Sequence, residues 1–161
     1  MKMSPELNDA LNEQIMHEYT NQLIYAQLES IFESLQLKNI SKYFREQSSH
    51  EKEHADKFKE HINSRTGGKV TIGEINLPPI QDFDLSNIGR IGDIYVSTEE
   101  GTTDSIESLY GLAMQEKSYI DIPFLQAMLS EQVEEEDTAN EFSLNLKTVK
   151  DFVLFDKTFG E

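Results

Sequence analysis

Glu51 and His54 are the residues in this sequence whose types and spacing most directly indicate chemistry. They lie three positions apart in the segment Glu51-Lys52-Glu53-His54, and residues at i and i+3 share one side of a helix. A carboxylate and an imidazole placed side by side can hold one divalent cation. The chain has no cysteine, so any metal must be held by Glu, Asp, His or Gln rather than by thiolates.

Further acids lie at the middle of four helical stripes. Steps of three and four residues trace one face of each predicted helix, and each face is apolar at its ends and polar at its centre. The central acids are Glu18, Glu51, Glu99 and the pair Glu131 and Glu135. Buried, converging carboxylates repel one another unless protons or cations lie between them. We therefore expect a divalent cation, and oxygen ligands with one imidazole favour iron, manganese or zinc.

Four long helices are predicted to position these residues. Apolar periodicity and capping residues place the helices at about 5–35, 39–65, 86–117 and 121–146. The stretch 66–86 is rich in glycine and contains the Pro78-Pro79 pair. This composition predicts the long crossover that a bundle of two antiparallel hairpins needs between its second and third helices. The apolar tail after Lys147 predicts a short fifth helix. We expect an all-α four-helix bundle that forms a single domain over residues 1–161.

The charge of the chain limits its partners. There are 30 Asp and Glu residues against 14 Lys and Arg, which gives a formal net charge of −16, so nucleic acid and anionic membranes are not expected as partners. No apolar run has the length of a membrane span, and the first residues show no apolar leader. We expect a cytoplasmic protein with enough hydrophobic residues, 37% of the chain, to form a core.

Three segments together resemble the bacterial non-haem ferritins, and the resemblance runs from about residue 5 to residue 160. The segments are residues 11–19, the Glu51-Lys52-Glu53-His54 motif, and residues 130–136. The resemblance implies a homo-oligomeric cage of 24 subunits. It also implies ferroxidase activity, in which iron(II) is oxidised by dioxygen or peroxide at a di-iron centre within each subunit, and storage of the product as hydrated iron(III) oxide.

The same resemblance assigns ligands to the two irons. Glu18, Glu51 and His54 match the ligands of the first iron. Glu99 and Gln132 match those of the second iron, with Glu51 bridging the pair.

Further residues match positions around the centre. Tyr25 matches a tyrosine that can act in electron transfer, although a packed tyrosine bonded to a carboxylate is an equally open interpretation. Glu135 matches a further carboxylate beside the second iron, and Glu131 and Glu134 match part of a third iron site on the cavity side. His50 stands where the family usually has an acid, which leaves open whether it binds iron.

Haem-binding bacterioferritin is the nearest rival within this resemblance. Its second helix is similar, including Ala55-Asp56-Lys57, but it carries an axial Met where this chain has Lys52 and a second His where this chain has Thr138. We therefore expect no haem.

The prediction is an iron-storage protein with ferroxidase activity, and two alternatives stay open. One is a cage that buffers metal without catalysing oxidation. The other is a helical interaction module that binds no metal. His17 and His61 are predicted to be non-ligand residues, with His61 at the surface.

Overall fold

The chain folds into a bundle of four long α-helices with a short helix at its end. A computed structural model describes residues 1–77, 79–80 and 82–160, and within them are five helices and no strand. The helices are α1 (Pro5–Ser34), α2 (Lys38–Ser64), α3 (Arg90–Gln115), α4 (Ile122–Thr148) and α5 (Phe152–Thr158). Helix α1 packs on α2 and α3 packs on α4, while α1 also contacts α3. The predicted all-α architecture is confirmed.

The two hairpin turns have the same construction. After α1, Gln36 takes a φ of 62°, and Leu37 N donates to Phe32 O at 3.0 Å. After α3, Lys117 takes a φ of 57°, and Ser118 N donates the equivalent bond to Ala113 O at 2.8 Å. This is the Schellman arrangement, which usually places glycine at the left-handed position. Here non-glycine residues hold that conformation, so the turns carry no glycine signal.

Helix α3 begins four residues later than predicted. Asp84 Oδ1 accepts a hydrogen bond from Ser86 N at 2.8 Å, and Asn87 Oδ1 accepts one from Asp84 N at 2.8 Å. Side chains that bond to nearby backbone in this way compete with helix formation. The residues before Arg90 therefore form turns, and the crossover extends over 65–89.

The crossover begins by following α1, whose asparagines hold its backbone. Asn8 Oδ1 accepts a bond from Lys69 N at 2.8 Å, and Asn12 bonds both Lys69 O at 2.8 Å and Thr71 N at 2.6 Å. These bonds satisfy polar groups that a strand or helix would otherwise pair. Pro78, one half of the predicted proline pair, lies outside the described residues.

A polar layer divides the hydrophobic core into two clusters. The first core cluster lies towards the start of α1 and the second towards its end. The polar layer between them consists of Glu18, Glu51, His54, Glu99 and Gln132, all buried. Each of the four long helices thus contributes a hydrogen-bonding or charged group to this layer.

A second buried charge, Asp121, joins α2 to the turn before α4. Arg65 donates to it from Nε at 2.8 Å and Nη2 at 3.3 Å, and Ser118 and His61 donate at 2.5 and 2.8 Å. Burial acts to raise the pKa of Asp121, but these bonds outweigh it and hold the pKa below the usual value. Asp121 therefore occupies the predicted capping position, but its carboxylate binds Arg65 instead of capping the helix.

The prediction that His61 is a surface residue is wrong. Its ring stacks on Phe124 with centroids 4.1 Å apart, and only 11% of its side chain is exposed. His61 lies within the end of the bundle because its ring stacks on Phe124 and its Nε2 atom bonds to the buried carboxylate of Asp121.

We expect Arg65→Met to lower the free energy of unfolding by about 3–5 kcal/mol, because it removes the cationic partner of the buried Asp121 carboxylate. The matched control is Lys147→Met, which removes an ion pair to Asp93 whose side chains are 44% and 64% exposed. Exposed pairs contribute only about 0–1 kcal/mol. Urea denaturation at fixed protein concentration compares the variants, and equal midpoints for the two would contradict this account.

Gly92 sets the close approach of α3 to α4. A Cβ atom added there would lie 2.8 Å from Ser143 Cα and closer still to its hydroxyl. We expect Gly92→Ala to destabilise the protein by about 1–3 kcal/mol through overpacking. Gly111 lies on the same helix with nothing within 4 Å, so Gly111→Ala should instead gain up to about 1 kcal/mol in helix propensity. Thermal denaturation midpoints that move in the same direction would refute the packing argument.

Candidate metal centre

Helices α1 and α2 bring three potential ligands together in the polar layer. Glu18 comes from α1, and Glu51 and His54 lie one turn apart on α2. One ligand atom from each lies within 4.8 Å of the others. His54 Nδ1 is 3.9 Å from Glu18 Oε2 and 3.7 Å from Glu51 Oε2. The predicted Glu-x-x-His pair therefore shares one side of its helix and meets a carboxylate from the neighbouring helix.

These three residues hold polar atoms that have no partner. Glu18 Oε2, Glu51 Oε2 and His54 Nδ1 are buried without a hydrogen bond in the described part of the chain. Leaving such atoms unpaired costs about 1–3 kcal/mol each, and more for charged groups. Two carboxylate oxygens and one imidazole nitrogen, all within 4.8 Å of one another, make a donor set that could hold a divalent cation.

Gln14 orients one of the ligands. Its Nε2 donates to Glu18 Oε1 at 2.9 Å, which leaves Oε2 directed at the cluster. A second layer of hydrogen bonds of this kind usually aligns metal ligands. Gln14 was not among the predicted site residues, although its position four residues before Glu18 on the same helix was a usable signal.

The electrostatics of the site favour a bound positive charge. Burial is the main cause that raises the pKa of Glu18 well above its usual value, and the nearby Glu51 adds to it. Burial likewise raises the pKa of Glu51 to about 8. Both carboxyls therefore retain protons more strongly than free glutamates, and a divalent cation would replace those protons and relieve the repulsion.

Helices α3 and α4 supply a second group of bonded residues in the same layer. Tyr25 donates a short hydrogen bond to Glu99 Oε1. Gln132 Nε2 donates to Glu99 Oε2 and to its backbone oxygen, both at 3.2 Å. Burial raises the pKa of Glu99, and these two bonds partly oppose that shift. Glu99, Tyr25 and Gln132 thus form one hydrogen-bonded unit in which both carboxylate oxygens of Glu99 are engaged.

The inward face of α4 differs from the predicted one. Gln132 and Ala139 are buried, whereas Thr138 is exposed and Glu131 keeps 41% of its side chain exposed. Steps of three and four residues from Phe124 lead to Glu131 and Glu135, but Phe124 packs on His61 at the bundle end. These two acids therefore fall beside the buried face, which includes Leu125, Gln132 and Ala139. Glu135 is half-buried, and its charge contributes to the raised pKa of Glu51.

The residues of the predicted third site lie at the outer side of this layer. Glu131 Oε2 is 3.2 Å from His54 Nε2, and its Oε1 accepts a bond from Lys57 Nζ at 2.8 Å. Glu134 and His50 are exposed. Lys57, which was not predicted to lie at that site, places an ammonium group against one of its carboxylates. The third site stays a prediction.

The matches with known proteins agree with this fold. A family model for the ferritin-like domain matches residues 8–149. A chloroplastic ferritin of Brassica napus is 32% identical over 87% of this chain and 57% of its own length, and a bacterial non-heme ferritin of Staphylococcus aureus is 31% identical over 83% and 78%. The solved structure of an open-pore ferritin from Archaeoglobus fulgidus superposes with a TM-score of 0.89 at 31% identity, covering 98% of this chain and 96% of that one.

The fold is a four-helix bundle with a long crossover, and the site is a buried cluster of carboxylates and a histidine. These two features are typical of ferritin-like proteins. Together with the family match, this shows that the chain belongs to the ferritin-like family. It spans 57–61% of the length of the chloroplastic plant relatives. None of the helices in the described ranges is long and apolar enough to cross a membrane.

We expect Glu51→Gln to stabilise the metal-free protein by about 1–3 kcal/mol, because a neutral amide costs less to bury than an ionisable carboxyl group that lies beside Glu18. The same change should weaken binding of zinc(II) or cobalt(II) by about tenfold or more. Calorimetric titration and thermal denaturation of the metal-free protein give both values. Glu53→Gln is the control, since Glu53 is exposed on the same helix. A Glu51 variant that binds as tightly as the control would exclude this residue as a ligand.

Proposed function

We propose that this protein stores iron, and that it oxidises iron(II) to iron(III) at the centre formed by Glu18, Glu51 and His54. The observation that carries the proposal is the set of three buried, unpaired ligand atoms in the middle of a ferritin-like bundle. Dioxygen or hydrogen peroxide accepts the electrons. Iron is the substrate of this site.

The first iron(II) is bound by Glu18 Oε2, Glu51 Oε2 and His54 Nδ1. Gln14 keeps Glu18 in the binding orientation through its 2.9 Å bond to Oε1. Two carboxylates stabilise the harder iron(III) product more than iron(II), because the extra charge strengthens each interaction with an anionic oxygen. The ligand set therefore favours loss of an electron from the bound ion.

A second iron is held by Glu99, Gln132 and Glu135, with Glu51 as the bridge. Gln132 binds a metal through its amide oxygen, so its side chain turns away from the orientation in which Nε2 donates to Glu99. The hydrogen bond from Tyr25 fixes the other oxygen of Glu99. Tyr25 is thus placed to give up an electron while its proton moves to that carboxylate.

The proposal extends to a cytoplasmic cage of 24 copies that stores iron(III) as a hydrated oxide. Exposed apolar residues support self-association, since a lone chain would leave them in water. Val153 and Leu154 on α5 are 63% and 62% exposed, and Val133 on α4 is 71% exposed. The acidic charge of the chain attracts iron(II) to such an assembly.

We expect Glu51→Ala to abolish rapid iron(II) oxidation, because this residue is proposed to contact both irons. Stopped-flow absorbance after anaerobic protein with iron(II) is mixed with air-saturated buffer measures the rate. Glu53→Ala should retain the wild-type rate.

Sedimentation velocity of both variants tests assembly separately from chemistry. Equal oxidation rates for the two variants would refute the site. A wild-type rate no faster than buffer would favour storage or buffering without catalysis, and a monomer or dimer would refute the cage.

A further inference from the structure

Three tyrosines connect the polar layer to the surface of the bundle. Tyr25 donates to Glu99, and its ring packs edge-on against Tyr95 with centroids 5.4 Å apart and an interplanar angle of 87°. The hydroxyl oxygen of Tyr95 lies 2.9 Å from that of Tyr43. Tyr43 lines a cavity of about 300 Å³ between α4 and α5. The contacts between these three side chains are continuous.

We propose that Tyr25, Tyr95 and Tyr43 form a relay that carries an electron from the cavity beside α5 to the metal centre. The relay acts when hydrogen peroxide is reduced at a centre that holds a single iron(II). The inference rests on the proposed ferroxidase function and adds two residues, Tyr95 and Tyr43, and an outer reduction site to it.

The packing of the second core cluster does not require tyrosine at these positions. The neighbouring rings are phenylalanines, among them Phe44, whose centroid lies 5.3 Å from that of Tyr95 and 6.1 Å from that of Tyr25. Tyr95 is fully buried, and a buried hydroxyl is costly unless it finds a partner. A phenol, unlike a phenylalanine ring, can give up an electron together with its proton. The hydroxyl groups therefore add redox chemistry that packing alone would not select.

Each phenol is neutral at neutral pH, so each electron leaves with a proton. Burial raises the pKa of Tyr95, and raises that of Tyr43 to about 12. Glu99 Oε1 accepts the proton of Tyr25 through the existing hydrogen bond. Tyr43 is partly exposed at the cavity, so its proton can pass to water there.

Hydrogen peroxide takes two electrons and two protons to give two waters; bound iron(II) supplies one electron and Tyr25 the other. Tyr95 restores the electron of Tyr25, and Glu99 returns its proton. The proton of Tyr95 meanwhile shifts along the 2.9 Å hydrogen bond to the Tyr43 oxygen and returns with the electron that Tyr43 supplies, while Tyr43 loses its own proton to water. The Tyr43 radical then regains an electron from a second iron(II) in the cavity and a proton from water. In sum, two iron(II) and one peroxide with two protons yield two iron(III) and two waters.

The cavity is suited to that last step. Thr138, Glu141 and Asn145, three residues with polar side chains, line it from α4, and Phe155 and Phe159 line it from α5. Burial is the main cause that raises the pKa of Tyr43, and the charge of Glu141 adds to it. A negative charge beside Tyr43 attracts iron(II) as the one-electron reductant.

Radical trapping tests the relay. Protein loaded anaerobically with one iron(II) per subunit is mixed with hydrogen peroxide and a nitroso spin trap, and the adducts are located by peptide mass spectrometry. In the wild type we expect the adduct on Tyr43. In Tyr95→Phe, which keeps the ring, the adduct should move to Tyr25, and Tyr43 should fall to background. In Tyr43→Phe, freeze-quench electron paramagnetic resonance should show a tyrosyl radical that decays more slowly than the tyrosyl radical at the centre of the wild type.

Tyr119 provides the internal control, since it is 63% exposed in the turn at the opposite end of the bundle. Equal labelling of Tyr119 and Tyr43 would indicate diffusing oxidants and overturn the relay, as would unchanged Tyr43 labelling in Tyr95→Phe. If Tyr95→Phe does not fold, the radical lifetime in Tyr43→Phe tests the relay. A decay as fast as in the wild type would overturn it. If the wild type oxidises iron(II) rapidly but Tyr43 is not labelled, the relay is overturned and the proposed function stands. If the wild type oxidises iron(II) no faster than buffer alone, the proposed function is overturned as well.

Discussion

Mutual repulsion among buried carboxylates is the constraint on which the rest of this structure depends. Glu18 and Glu51 lie in the core, where burial raises the pKa of both. Two apolar clusters, one at each side of the polar layer, hold the helices together in spite of this penalty. The layer is thus a local loss of stability that the surrounding core offsets, and a bound divalent cation would convert the loss into a gain.

The remaining parts of the fold serve to align that layer. The two hairpin turns fix the register of each helix pair, and the crossover lets α3 and α4 face α1 and α2 at the same level. Gly92 allows the close approach of α3 to α4 that places Gln132 on Glu99. Hydrogen bonds from Gln14 and Tyr25 then orient single carboxylate oxygens. Positioning on rigid helices explains how side chains from all four helices meet within one layer.

Much of the fold could be predicted because the signals are local. Ser4 and Pro5 mark the start of α1, and Ser4 Oγ does accept the capping bond from Leu7 N at 3.0 Å. The start of α3 could not be placed as well, since side-chain bonds around Asp84 hold the preceding residues in turns. The burial of His61 could not be predicted for a related reason: its partners, Phe124 and Asp121, lie about 60 residues away along the chain.

The sequence by itself determined the helices, the level of the polar residues within them and the pairing of Glu51 with His54, because these depend on helical periodicity within one element. Only the tertiary structure decided which oxygens stay unpaired, that Gln132 rather than Glu131 is buried, and that Tyr95 links Tyr25 to Tyr43. Those facts depend on the rotation and approach of helices against one another. A shift of one residue along α4 changes which side chain faces the core, and periodicity alone does not resolve so small a rotation.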